Sequence, residues 1–500
     1  MDGSSNCNSD PNPAHIILIP FMAQGHMIPM VDVARLLASS GALVTFITTP
    51  VNAARIRPSI DSIENSQRLP VRFVQLPFHS ADVGLPAGCE NVDLISSPDL
   101  FKPFMKALSL FGEQVKLYLT ATNPTADCII FDSMNSWVGA VAESLNIPHI
   151  IFHGPSCFYI LCAHLLKKHQ VLKRIDDDYK LFKVPELPEP VEVMKAQVMS
   201  LKDRPEWEKE SEEIYKTEKS ACGVVMNTFE ELEKSSLDKF RKEIGKKVWP
   251  IGPLSLANKD LDSKAMRGKA SSIDTGLLLS WLDSKAPNSV MFVSFGSLSR
   301  NPISQLVQIG QGLESASSSE LSFIWVVKEA ENSEEVENWL SEFEERTKGM
   351  GMVIRGWAPQ AMILGHVALG GFMTHCGWNS TFEAIAAGVV MATWPRFGDQ
   401  FVNERLVVDV LRIGVAVGAK VPIFYVDEMS GEGLVKGEEV RKVVEKVMTI
   451  DEEGEERRKR AKELREKARK AMEEGGSSFE NLKRVIQFAK GEKKAIGMKL

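Results

Sequence analysis

The stretch "HIILIPFMAQGHMIPMVDVARLLASSGALVTFITTP", His15 to Pro50, changes its period twice. "HIILIP" is a short apolar run of strand type. "MVDVARLLASSG" repeats Met30, Val33, Ala34 and Leu37 at helical spacing, with Gly41 placed to close the helix. "ALVTFITTP" is strand-like again. Strand, helix, strand is a βαβ unit. "VRFVQL" (Val71–Leu76), "DCIIF" (Asp127–Phe131) and "HIIF" (His149–Phe152) continue the series with helical segments between them. A second series follows the polar stretch Ala257–Gly276, which carries charge and small residues without an apolar period and reads as a linker. Its strand candidates are "VMFVSF" (Val290–Phe295), "FIWVV" (Phe323–Val327), "MVIR" (Met352–Arg355), "GFMT" (Gly371–Thr374) and "VMATW" (Val390–Trp394). The fold class is therefore α/β, with two doubly wound domains.

Composition agrees with that reading. Five hundred residues exceed what one hydrophobic core usually organises. At 44% hydrophobic and 25% charged residues the chain sits near globular averages. A net charge of −7 gives no electrostatic footprint for nucleic acid or an anionic membrane. Seven scattered cysteines without a C-x-x-C suggest neither a disulfide framework nor a zinc site. "MDGSSNCNSDPNP" lacks the basic and apolar regions of a signal peptide, and no window is apolar enough to span a bilayer. The expectation is a cytoplasmic protein, monomeric, with small-molecule partners and no membrane insertion. The charged tail "EEGEERRKRAKELREKARKAMEEGG" places Ala461, Leu464, Ala468 and Met472 on one face, which predicts a solvated helix stopped by Gly475 and Gly476.

In open parallel sheets, ligands bind beyond the carboxyl ends of strands, above all where strand order switches. That rule selects Gln24-Gly25-His26, Asp132 and His153 in the first half. In the second it selects Gly296-Ser297, the residues from His375 onward, and Pro395–Gln400. A histidine oriented by a carboxylate is a base able to deprotonate a hydroxyl. His26 with Asp132 is the candidate pair, and spacing leaves His153 as a rival. "THCGWNST" (Thr374–Thr381) contains Ser380-Thr381-Phe382-Glu383, the form of a capping box, so a helix is expected to begin about there and run to Gly388. Its N-terminus would seat a phosphate, with Gly377 allowing close approach and His375 donating to an anionic oxygen. Asp176-Asp177-Asp178 follows no strand and reads as a solvated turn rather than a metal site. No G-x-G-x-x-G follows the first strand, which weighs against a dehydrogenase.

"WAPQAMILGHVALGGFMTHCGWNSTFEAIAAGVVMATWPRFGDQ" (Trp357–Gln400) resembles, in length and order, the signature box of plant family 1 UDP-dependent glycosyltransferases. "PFMAQGHMIPMVDVARLL", "MNTFEELE", "WPIGPL" and "WLDSKAPNSVMFVSFGSL" extend the likeness over most of the chain. The resemblance implies a GT-B fold, two facing Rossmann-like domains with a cleft between them. It also implies an inverting, metal-independent transfer from a UDP-sugar with no cofactor. The matched roles are His26 as base and Asp132 as its partner, Trp357 stacking on uracil, Ala358 on the base edge, and Gln360 and Glu383 on the ribose. Ser297, His375, Asn379 and Ser380 match diphosphate ligands, with Gly377 beside them. Trp378, Asp399 and Gln400 match contacts to the sugar, with Trp378 turned toward it, and Gln400 implies glucose. Phe21, Met134 and Phe397 are weaker candidates for the acceptor wall.

The boundaries expected on this basis are 1–254 for the acceptor domain, 255–276 for the linker and 277–475 for the donor domain. Residues 476–500 are expected as a helix packing back on the N-terminal domain. Val390 stands where the family usually has Pro, and Arg396 where an apolar residue is usual. These departures predict a looser turn and a charge near the cleft mouth. The acceptor class implied is a flavonoid, triterpenoid or steroid bearing a hydroxyl or carboxyl. A non-catalytic nucleotide-sugar binder and a UDP-sugar epimerase are the alternative readings.

Overall fold

The computed structural model describes residues 12–121, 126–198, 208–317, 321–328, 333–423 and 433–497. Its first half contains β1 (His15–Ile19), β2 (Leu43–Thr48), β3 (Val71–Gln75), β4 (Cys128–Asp132), β5 (His149–His153), the antiparallel pair β6 (Leu181–Lys183) and β7 (Glu192–Met194), then β8 (Gly223–Met226) and β9 (Lys247–Pro250). Seven of these form a parallel sheet in the order β3-β2-β1-β4-β5-β8-β9. The second half contains β10 (Val290–Ser294), β11 (Ser322–Val327), β12 (Gly351–Arg355), β13 (Leu369–Thr374), β14 (Met391–Thr393) and β15 (Gly414–Ala416), a parallel sheet ordered β12-β11-β10-β13-β14-β15. Central strands such as β1, β4, β10 and β13 are buried along their whole length. Their near-continuous apolar runs follow from helices covering both faces of a parallel sheet.

Each sheet reverses its strand order once near its middle. In the first, β1 leads outward to β2 and β3 on one side, while β4 pairs with its other edge. In the second, β10 leads to β11 and β12, while β13 takes the other edge. A crevice opens at such a switch because the two crossover connections leave in opposite directions. The residues at the carboxyl ends of β1 and β4, and of β10 and β13, therefore lie side by side.

Three elements differ from the sequence reading. The first helix spans Gln24–Ser39 and starts well before Met30, so that Gly25, His26 and Pro29 are helical. Residues 257–276 are not bare linker. They hold a helix Leu261–Ala265 capped by Asp260 and the start of Thr275–Asp283, capped by Asp274. The helix Glu452–Met472 is not wholly solvated, because Ala461, Leu464 and Ala468 are buried and the helix packs on Trp378–Ala387. The final helix, Ser477–Gly497, lies against β9: Asn481 Nδ2 donates to Pro250 O at 2.9 Å and the Phe488 ring meets Trp249 at 5.0 Å.

Candidate active site

His26 sits in the first turn of the helix that follows β1, and Asp132 is the last residue of β4. The switch between these strands brings His26 Nδ1 to 2.7 Å from Asp132 Oδ2. Asp132 is fully buried, and its other oxygen accepts the Met134 N–H at 2.9 Å. A carboxylate only accepts, so Nδ1 carries the proton of this bond and Nε2 keeps a lone pair. The His26 side chain remains 29% exposed, and the Phe21 ring meets it edge-on at 5.2 Å. Phe21 and Met134 thus brace the pair. His153 is buried at the end of β5, with its ring edge-on to Phe240 at 6.4 Å, so His26 and not His153 is the histidine paired with Asp132.

Across the molecule, the turn after β10 meets the turn after β13. Gly296 has φ +70°, and a Cβ there would strike the His375 ring, as would one at Gly377. The ring is therefore seated between two backbones that only glycine allows. Burial, then the charges of Lys328 and Arg396, hold the His375 imidazole down at about 3, which keeps it neutral at ordinary pH. The helix that follows, Trp378–Ala387, is capped by Gly377 without any side-chain bond. The expected capping box is thereby corrected. Ser380 and Glu383 lie inside the helix, where Gln360 Nε2 donates to Ser380 Oγ at 3.1 Å and to Glu383 Oε2 at 2.8 Å. The reason is Trp378, which is buried and stacked on Phe382 at 5.0 Å, and so draws the chain into helix earlier.

Trp378 also departs from its expected orientation toward a sugar. Its indole N–H donates to Asn227 O at 2.7 Å, and Phe382 beneath it stacks on Phe229 at 5.9 Å. The indole fastens the two halves together. Burial raises the Asp399 carboxyl to about 6, against Asn403, the N–H groups of Asp399 and Trp378, and His26 when its ring is protonated, which pull it down. Gln400 Oε1 accepts the N–H groups of Arg396 at 2.8 Å and Phe397 at 3.0 Å, which points its amide nitrogen the other way. Arg396 is not a charge at a cleft mouth. It is buried between Phe295 at 5.0 Å and Trp394 at 4.6 Å, and its Nη2 donates to Asn301 Oδ1 at 2.7 Å. Val390 is buried as well, and its carbonyl accepts the Phe372 N–H at 3.0 Å.

Residues 113–448 match the family described as UDP-glucoronosyl and UDP-glucosyl transferase. The chain belongs to the UDP-glycosyltransferases. It is 44% identical to UDP-glycosyltransferase 73C6 of Arabidopsis thaliana, covering 96% of this chain and 97% of that one. It is also 44% identical to UDP-glycosyltransferase 73C11 of Barbarea vulgaris, over 95% and 96%. Among solved structures, Glycyrrhiza uralensis UGT73P12 complexed with glycyrrhetinic acid 3-O-monoglucuronide superposes with TM-score 0.88 at 36% identity, over 98% of each chain. Arabidopsis thaliana UGT89C1 complexed with UDP-L-rhamnose gives 0.73 at 29%, over 96% and 100%. The architecture is GT-B, and the protein is a glycosyltransferase of plant family 1 type.

Asn403, Ser272 and Gly268 lie outside the motifs and help build this glycosyltransferase's cleft, as does a contact made at Pro29. Pro29, inside the first helix, has no N–H to give to Gly25 O, its partner four residues back. Asn379 Nδ2, from the opposite domain, donates to that carbonyl. Asn403 Nδ2 donates to Cys376 O at 2.9 Å and to Asp399 Oδ2 at 2.8 Å, and its Oδ1 accepts from Ser156 Oγ at 2.9 Å. Trp357 is held at both ends by Ser272, whose Oγ accepts its N–H at 2.8 Å and whose N–H donates to its carbonyl at 2.8 Å. Gly268, at φ +94°, lies against the Trp357 ring, and Ala358 beside it is buried. Among the described residues no group of three or more His, Cys, Asp or Glu could hold a metal ion, and no helix is long and apolar enough to cross a membrane. Asp176 and Asp177 are exposed, and Asp177 Oδ1 accepts the Tyr179 N–H at 2.9 Å.

Proposed function

We propose that this UDP-glycosyltransferase moves glucose from UDP-glucose to a hydroxyl or carboxyl of a hydrophobic plant secondary metabolite, a flavonoid, triterpenoid or steroid, with inversion and without a metal. The observation that carries the reading is the His26–Asp132 pair at 2.7 Å, a histidine held in one orientation by a buried carboxylate. An acceptor hydroxyl gives its proton to Nε2 and its oxygen attacks the anomeric carbon, while the bond from that carbon to UDP breaks. The imidazolium formed is stabilised by Asp132. Charge growing on the diphosphate is met by Ser297 from the turn after β10 and by His375, Asn379 and Ser380 at the N-terminus of the Trp378–Ala387 helix.

Trp357 serves the uracil, Ala358 the base edge, Gln360 and Glu383 the ribose, and Asp399 with the amide nitrogen of Gln400 the glucose hydroxyls. Trp378 has no indole N–H to offer and contributes through its backbone. Residues 1–254 hold the acceptor, with Phe21, Met134 and Phe397 beside it, and residues 277–475 hold the donor. The protein acts as a cytoplasmic monomer. UGT73P12 with its glucuronide and UGT89C1 with quercetin support a hydroxylated small molecule as acceptor.

The test is UDP release from UDP-glucose against a panel of flavonols, triterpene acids and steroids, for the intact protein and His26→Ala. Acceptor-dependent release that falls by about 10²–10⁴ in His26→Ala, with UDP affinity unchanged, is the expected result. Release that survives the substitution would remove His26 as base.

A further inference from the structure

Arg267, in the segment joining the two halves, reaches into the interior. Arg267 has a side-chain exposure of 9% and lies between two buried carboxylates. Its Nε donates to Asp32 Oδ2 at 2.8 Å, and its Nη1 donates to Glu383 Oε1. Asp32 belongs to the helix that carries His26, and Glu383 to the helix that starts at the diphosphate cradle. Asp32 is held further by Asn258 Nδ2 at 2.8 Å, and Glu383 by Gln360 Nε2 at 2.8 Å. The backbone on either side of Arg267 is pinned by one residue, Ser59. Its hydroxyl donates to Met266 O at 2.9 Å and accepts the Gly268 N–H at 3.2 Å. Arg267 is thus anchored on the N-terminal half and reaches Glu383 on the other.

We propose that Arg267 is a positioning residue for the donor: it orients Glu383 toward the ribose hydroxyls of the UDP-sugar and ties that contact to the helix bearing His26. The inference rests on the reading of Glu383 as a ribose ligand. Two considerations support it. A carboxylate has about four acceptor positions, so bonds from Arg267 and Gln360 fix its orientation and leave room for ribose hydroxyls. A planar guanidinium can satisfy two carboxylates in fixed directions, which an ammonium cannot. Burial raises the Asp32 carboxyl and Arg267 opposes that rise, so the three groups share one charge balance.

The experiment compares UDP-glucose with UDP-glucose lacking the ribose 2′- or 3′-hydroxyl, in wild type, Arg267→Lys and Asp32→Asn. Asp32→Asn replaces a carboxylate by an isosteric amide and keeps the fold testable if Arg267→Lys does not fold. A hydrogen bond to a charged group is worth a factor of roughly ten to a hundred, so wild type should favour the complete donor by at least about tenfold in kcat/KM. In Arg267→Lys that preference should shrink to about threefold or less, the loss falling on KM with kcat nearly kept. Asp32→Asn should give an intermediate preference. A purely structural role would lower activity with every donor alike and leave the preference unchanged, which would overturn the proposal. So would a wild type active with UDP-glucose but indifferent to the ribose hydroxyls. The absence of any acceptor-dependent UDP release would instead strike at the proposed reaction.

Discussion

On the N-terminal face of the cleft, His26 and Asp132 find each other within one sheet, across the β1–β4 switch, and their supports Phe21 and Met134 come from the same loops. On the C-terminal face the corresponding residues are bonded outward. Trp378 bonds Asn227, Asn379 bonds Gly25, Asn403 bonds Ser156, and Glu383 bonds Arg267. The hydrogen bond that orients the base lies within the N-terminal half, whereas the donor side is bonded across to that half. Chemistry and donor affinity should therefore respond to different substitutions.

The sharpest way to break that contrast is Asp132→Asn. An amide can turn its NH₂ toward Nδ1, which moves the imidazole proton to Nε2 and removes the lone pair a base needs. The expected outcome is a fall in kcat of about 10²–10⁴ with the affinity for UDP-glucose, measured calorimetrically, unchanged. Loss of donor affinity in this variant would show that the two faces are not separable.

A smaller effect of opposite character is expected at the cradle. Gly296→Ala places a Cβ into the His375 ring at a residue with φ +70°. The left-handed backbone alone costs about 1–2 kcal/mol in an L-residue, and the collision adds displacement of His375. KM for UDP-glucose should rise by about tenfold or more, while an acceptor that binds the free enzyme keeps its dissociation constant. Equal weakening of both ligands would mean that the turn after β10 supports the whole cleft.

How far the sequence could be read follows the same division. The period change in His15–Pro50 made the βαβ start legible, and the rule that ligands gather at carboxyl strand ends placed His26, Asp132, Ser297 and His375 on one list. The helix start at Gln24 was hidden because Gly25 and Pro29 read as loop residues. Trp378 stands among small polar residues, and its stacking on Phe382 and its bond to Asn227 O, neither legible in the sequence, turn it inward. Arg267 could not be read at all. It lies in a polar stretch without period, and its partners are 235 and 116 residues away. Local pattern reports what a segment does to its neighbours, and contacts between halves leave no such pattern.

Pro29 offers the finest test of the contrast, because the carbonyl it leaves open, that of Gly25 next to His26, is bonded from the other face. Proline withholds the N–H that would occupy Gly25 O, and the Asn379 amide from the cradle uses that carbonyl. Pro29→Ala supplies the missing donor inside the helix. The carbonyl has two lone pairs, so the new bond competes with Asn379 without abolishing its contact. The helix itself should gain, since proline in an interior is poorly tolerated and alanine is the best helix former. The outcome expected is a small rise in melting temperature together with a two- to threefold rise in KM for UDP-glucose, about the effect of weakening one neutral hydrogen bond. Stability and donor affinity would then move in opposite directions at a single residue, which is the mark of a proline kept for the opening it leaves to the other domain. If both rise or both fall, Pro29 acts on the helix alone and Asn379 takes the Gly25 carbonyl incidentally.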